Sequence, residues 1–75
     1  MRLYLYQRDD CSLCDQAVAV LARMHAPDFE SIWIDNDPAL EARYGERVPV
    51  LRDADSAREL GWPFDPAAVR AFLSA

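Results

Sequence analysis

Between Arg2 and Cys14 the hydrophobic pattern of this chain changes its period, and the change falls on a pair of cysteines. Arg2 to Tyr6 alternates, with Leu3 and Leu5 on one side and Tyr4 and Tyr6 on the other, which is the period of a strand. Beyond it Leu13, Ala17, Val20, Leu21 and Met24 recur at helical spacing, and Pro27 marks the end of the run. Cys11 and Cys14, the only cysteines in the sequence, therefore lie on the first turn of a helix. Thiols three residues apart in that place are close enough to join, and the unpaired N–H groups of the helix start favour a thiolate. This is redox geometry rather than a disulfide framework.

The remaining punctuation supplies the other elements. Phe29 to Asp35 contains Ile32, Trp33 and Ile34 in a nearly continuous apolar run, the pattern of a strand covered on both faces. Asp37 caps a short helix with Pro38 in its first position, and Gly45 stops it. Val48 to Leu51 forms a third strand, a polar turn spans Asp53 to Ser56, and a fourth strand runs near Ala57 to Leu60. Asp65 and Pro66 repeat the cap-then-proline start for a last helix, Pro66 to Leu73, with Phe64 and Val69 spaced as its hydrophobic staple. The order is βαβαββα in one domain, residues 1–75. Two strand-helix-strand passages predict parallel pairing with right-handed crossovers, and the last two strands predict an antiparallel hairpin. The expected fold is α/β, a four-stranded mixed sheet flanked by helices, with the cysteines at the carboxyl end of the first strand. Open α/β sheets place their active sites at that end.

Composition narrows the function classes. At 75 residues the chain is near the lower limit for a core without staples, and its 52% hydrophobic content provides material for one. No apolar run is long enough for a membrane span. Met1 leads straight into strand-like sequence without a basic and apolar leader, so a cytoplasmic location is expected, where a C-x-x-C pair is more often catalytic or metal-binding than structural. Net charge is −5, and the eight basic residues are all arginines dispersed among acids; no nucleic-acid partner is expected, because phosphate neutralisation needs a basic face. Any cation near the thiols must be an arginine, suited to gripping carboxylates in a bidentate fork. The single histidine, His25, lies eleven residues past Cys14, about three helical turns away. It cannot complete a zinc site with the thiols in one chain, so no metal is expected unless two chains share it.

The chain resembles the thioredoxin fold, and within it the small glutaredoxin-like proteins. Tyr4-Leu5-Tyr6, Arg8 ahead of Cys11-Ser12-Leu13-Cys14, Arg47-Val48-Pro49-Val50, and Leu60-Gly61-Trp62-Pro63-Phe64-Asp65 carry the resemblance along nearly the whole length. It implies thiol-disulfide exchange, with Cys11 attacking and Cys14 resolving a mixed disulfide. It also implies a cis Pro49 facing the cysteines and Val48 pairing with the substrate backbone. Protein disulfides or glutathione are the implied partners, glutathione as co-substrate and not as a bound cofactor, and the chain is expected to act as a monomer. Tyr6, Arg8 and Arg47 are further candidates for substrate contact. The alternatives left open are a redox-inert binding module and an iron-sulfur or metal site shared between chains, completed by glutathione as in some glutaredoxins.

The sequence departs from the family pattern at three places. Ser12 and Leu13 stand where proline and tyrosine are usual, Arg47 replaces a threonine, and Gly61 is alone where two glycines are usual. Arg8 and Arg47 are the candidates for gripping glutathione carboxylates, while Asp65 reads first as a helix cap. An unperturbed thiol is only about 3% ionised at pH 7. The helix start favours the thiolate of Cys11, and Asp9, Asp10 and Asp15 oppose it.

Overall fold

Helix length and strand length together decide how this chain crosses its own sheet. A computed structural model describes residues 1–74, with the order β1 (Leu3–Gln7), α1 (Ser12–Arg23), β2 (Phe29–Trp33), α2 (Pro38–Tyr44), β3 (Val50–Asp53), β4 (Arg58–Gly61) and α3 (Pro66–Ser74). The 12 residues of α1 span about 18 Å, enough to return the chain past a five-residue strand of about 16 Å. β2 accordingly pairs with β1 in parallel, Leu3 opposite Phe29 and Gln7 opposite Trp33.

The 7 residues of α2 span only about 10 Å. The chain does not regain the far end of the sheet, and β3 starts near the end where β2 finished. It runs antiparallel to β1, Tyr6 opposite Val50 and Leu3 opposite Asp53. This corrects the expectation of two parallel passages: only the first is parallel. The hairpin of β3 and β4 is antiparallel as expected, and the strand order is β2-β1-β3-β4.

The burial of β2 corrects the expectation of a strand covered on both faces: it lies at the sheet edge, and Trp33 on it is 52% exposed. Only Ile34, just past the strand, is fully buried. A short apolar run does not distinguish an edge from a centre, because the apolar residues point to alternate faces in both cases.

The sheet has a core on each face. Leu3, Leu5 and Leu51 pack with Ala17 and Leu21 of α1 and with Phe64, Val69 and Phe72 around α3. On the opposite face Tyr6, Ile34 and Val50 pack under Tyr44 of α2. In α1 the inward stripe is Cys14, Ala17 and Leu21, whereas Leu13, expected in it, is 44% exposed. The register of the stripe thus sets Cys14 inward one turn above Ala17.

Caps fix the helix ends. Asp37 accepts from the N–H groups of Ala39 and Leu40, and Asp65 from that of Ala68 at 2.8 Å. At the end of α1, His25 adopts a left-handed φ of 53°, with its N–H on the Ala22 carbonyl and that of Ala26 on Leu21. This is a Schellman closure. His25 is exposed there, far from the thiols along the helix.

Candidate active site

Strand β1 ends at Gln7, and the loop Arg8 to Asp10 delivers the chain to the start of α1. Two features hold that loop. The Asp9 N–H donates to Asp35 Oδ2 at 2.8 Å, and Asp10 takes a left-handed φ of 54°. Cys11 follows as the N-cap residue, with extended backbone angles, and its Sγ accepts from the Cys14 N–H at 3.1 Å. An N-cap is normally an oxygen side chain; here the Cys11 sulfur occupies the place.

The two cysteines differ in access. Cys14 is 1% exposed within the α1 stripe, whereas Cys11 is half-buried at the helix tip. Their Cα atoms lie 5.2 Å apart and their sulfurs are at disulfide distance, within the range a disulfide requires. Cys11 is thus partly open to solvent, and Cys14 is not.

The next loop comes to the same end of the sheet. β3 begins at Val50, opposite Tyr6, so Val48 and Pro49 lie at the cysteine end of β1. The Val48–Pro49 bond is cis, as is Trp62–Pro63. Pro49 is fully buried and its carbonyl accepts from the Trp62 N–H at 3.2 Å. Val48 donates its own N–H to Tyr44, at 3.0 Å, and is half-buried.

Two residues singled out for substrate contact are committed to the frame. The Arg8 guanidinium donates to both Glu41 carboxylate oxygens and to the Gly45 carbonyl, with Asp35 at 4.0 Å. Its hydrogen bond to Glu41 raises its pKa above the usual value, so it stays charged and ties the end of β1 to α2. Gly45 suits this place, since a Cβ there would meet the Glu41 carbonyl at 2.5 Å, closer than side chains approach. Tyr6 is 8% exposed, stacked on the Tyr44 ring with centroids 4.2 Å apart.

Among the described residues no three His, Cys, Asp or Glu side chains are grouped to hold a metal ion. Among the described residues no helix is long and apolar enough to cross a membrane.

Residues 2–74 match the glutaredoxin-like domain (DUF836). The chain belongs to the glutaredoxin-like domain family. Among solved structures it is similar to the structural genomics target XcR50 from X. campestris, 61% identical with a TM-score of 0.91, covering 96% of this chain and 95% of that one. It is also similar to Ne2328 from Nitrosomonas europaea, 31% identical with a TM-score of 0.80, covering 95% and 88%. Thioredoxin 1 from Thermosipho africanus, 17% identical over 99% and 96% of the two chains with a TM-score of 0.58, shows the shared fold alone. No curated protein matches significantly. The fold of this glutaredoxin-like domain is therefore thioredoxin-like, as the sequence resemblance implied.

Arg47, a candidate from the sequence, stands in a cluster that the sequence does not show. Arginines scattered along the chain converge on Glu59 in β4: Arg52 at 3.0 Å, Arg47 at 3.1 Å and Arg43 at 3.8 Å, with the Tyr44 hydroxyl also donating to it. Burial works to raise the Glu59 carboxyl, but Tyr44, Arg47 and Arg52 outweigh it and hold the group below the usual carboxylate range. Burial and then the bond to Glu59 push the Tyr44 phenol up to about 12. The available signal was the hairpin register, which sets Arg52 opposite Glu59.

Proposed function

We propose that this glutaredoxin-like domain is a thiol-disulfide oxidoreductase that reduces protein disulfides or glutathione mixed disulfides. The observation that carries the reading is the unequal access of the cysteine pair, Cys11 at the helix tip and Cys14 buried one turn inward at disulfide distance. In the reduced protein the Cys11 thiolate attacks a substrate disulfide. A Cys11-substrate bond forms, the substrate S–S bond breaks, and the second substrate sulfur leaves as a thiolate. Cys14 then loses its proton and attacks Cys11 Sγ, closing Cys11–Cys14 and releasing the other substrate thiolate. Two electrons pass from the protein to the substrate. A dithiol, or two molecules of glutathione, returns them.

The chain's own groups support each step. The N–H groups at the start of α1, that of Cys14 foremost, offer hydrogen bonds to a Cys11 thiolate. Val48 and Pro49 form the wall along which the substrate backbone lies, and Arg47 stands beside it for a substrate carboxylate. Arg8 and Tyr6 act by holding the ends of β1 and α2. A monomer in the reducing cytoplasm suits this chemistry, since it needs a donor of electrons and no bound cofactor.

The test is turnover with a glutathione mixed disulfide and with a protein disulfide. Cys11→Ser is expected to abolish both activities, and Cys14→Ser to accumulate mixed disulfides detectable by mass spectrometry. No turnover on either substrate, with partner binding unaffected in both variants, would leave a redox-inert module.

A further inference from the structure

The Arg43, Arg47, Arg52 and Glu59 cluster has a charge imbalance that the thiol chemistry does not use. Three guanidiniums surround one carboxylate, and among the described residues no other acidic group lies within 4.0 Å of any of them. Two positive charges remain in excess, in a chain whose net charge is −5. Arg52 is largely covered, but the side chains of Arg43 and Arg47 are 61% and 49% exposed. Both rest over the Tyr44 ring, each 5.4 Å from its centroid. Buried Tyr44 and the Glu59 carboxylate thus pre-position the forks, while most of their donors remain free to take an incoming anion.

The cluster also borders the substrate wall. Arg47 immediately precedes Val48 and Pro49, and the Arg52–Glu59 rung lies two residues along the hairpin from the Val50–Gly61 rung, a distance of about 7 Å. We infer that this patch recognises carboxylate side chains of an acidic segment in the substrate polypeptide, within a few residues of the cysteine that Cys11 attacks. Paired carboxylates match the forked guanidinium geometry. A nucleic acid fits less well, because the patch has only two positive charges in excess and the chain's other arginines are dispersed among acids. The inference rests on the oxidoreductase reading for the identity of the partner as a substrate.

Two synthetic peptides with the same disulfide test it, one with Asp and Glu flanking the cysteine and one with Asn and Gln in their places. The wild-type protein is expected to reduce the acidic peptide with a kcat/KM about three- to tenfold higher at low salt, and to lose the preference at high salt. Arg43→Glu should remove or reverse the preference; Arg43→Gln, uncharged at an exposed site, should reduce it. Equal kcat/KM for the two peptides, or a preference that survives Arg43→Glu, overturns the inference. Fluorescence anisotropy with S-methylated versions separates the two readings. If neither disulfide peptide is reduced but the acidic methylated peptide binds more tightly, the oxidoreductase reading fails and the carboxylate site stands. Tighter binding of a single-stranded oligonucleotide of matched charge overturns the choice of carboxylate.

Discussion

At Cys11 the N-cap position of α1 falls on a cysteine. The sulfur accepts from the Cys14 N–H at 3.1 Å, and a thiolate is a stronger acceptor than a thiol or a disulfide sulfur. The same helix start that needs an acceptor therefore favours the thiolate over the thiol. Tyr44 shows a comparable economy: its ring supports Tyr6 on one side and the guanidiniums of Arg43 and Arg47, while its hydroxyl donates to Glu59. Tyr44→Phe keeps the ring and removes a hydrogen bond to a charged acceptor, so it is expected to cost about 1.5 kcal/mol or more in urea denaturation at neutral pH. Because the folded phenol titrates near 12 and an unfolded one near 10, its contribution is complete below about pH 10 and is lost as pH rises through the folded value. The wild type should thus lose stability between about pH 10 and 12 more steeply than the phenylalanine variant. Equal slopes would remove Tyr44 from that account.

Among the elements, the connections show where local conformation works against the residue present. The turn from β3 to β4 closes with the Ala57 N–H on the Asp53 carbonyl at 2.8 Å, and Ala57 sits at a φ of 63°. Alanine has no side-chain acceptor to compensate a left-handed backbone. Ala57→Gly is expected to stabilise the protein by about 1 kcal/mol, read as a higher denaturation midpoint with an unchanged slope; a lower midpoint would show that the strain is absent. Element identity was largely legible beforehand. Asp37 with Pro38, and Asp65 with Pro66, announced α2 and α3, and both aspartates are observed as caps. Strand direction was not legible for β3, because it depends on whether α2 is long enough to carry the chain back across the sheet. Nor was the exposed edge of β2, where Trp33 lies in the same apolar run as buried Ile34.

For the whole molecule, two carboxylates, buried Asp53 and half-buried Glu59, set the acid limit. Asp53, 6% exposed, is pushed up by burial but is held below the usual range by the N–H groups of Asp55 and Ser56, the Ser56 hydroxyl and the charge of Arg58. Glu59 is depressed by Tyr44 and its arginines. A depressed folded pKa contributes stability above the unfolded value, about 4, that is lost as pH falls through the folded one. Stability is therefore expected to be level from pH 6 to 5 and to fall below about pH 4. Asp53→Asn and Glu59→Gln should be less stable at neutral pH and flatter in acid; urea midpoints measured across this range check it, and a wild-type midpoint unchanged at pH 3 would refute it. Of the site, the sequence by itself determined the cysteine pair, its place on a helix start after the first strand, and the family resemblance, since these depend on spacing and local period. The tertiary structure alone decided that Cys14 is buried while Cys11 is accessible, that Arg8 and Tyr6 belong to the frame, and that Arg43, Arg47 and Arg52 share one carboxylate. Each of those depends on packing across a sheet whose strand order and direction bring distant residues together, and a linear pattern carries no measure of that distance.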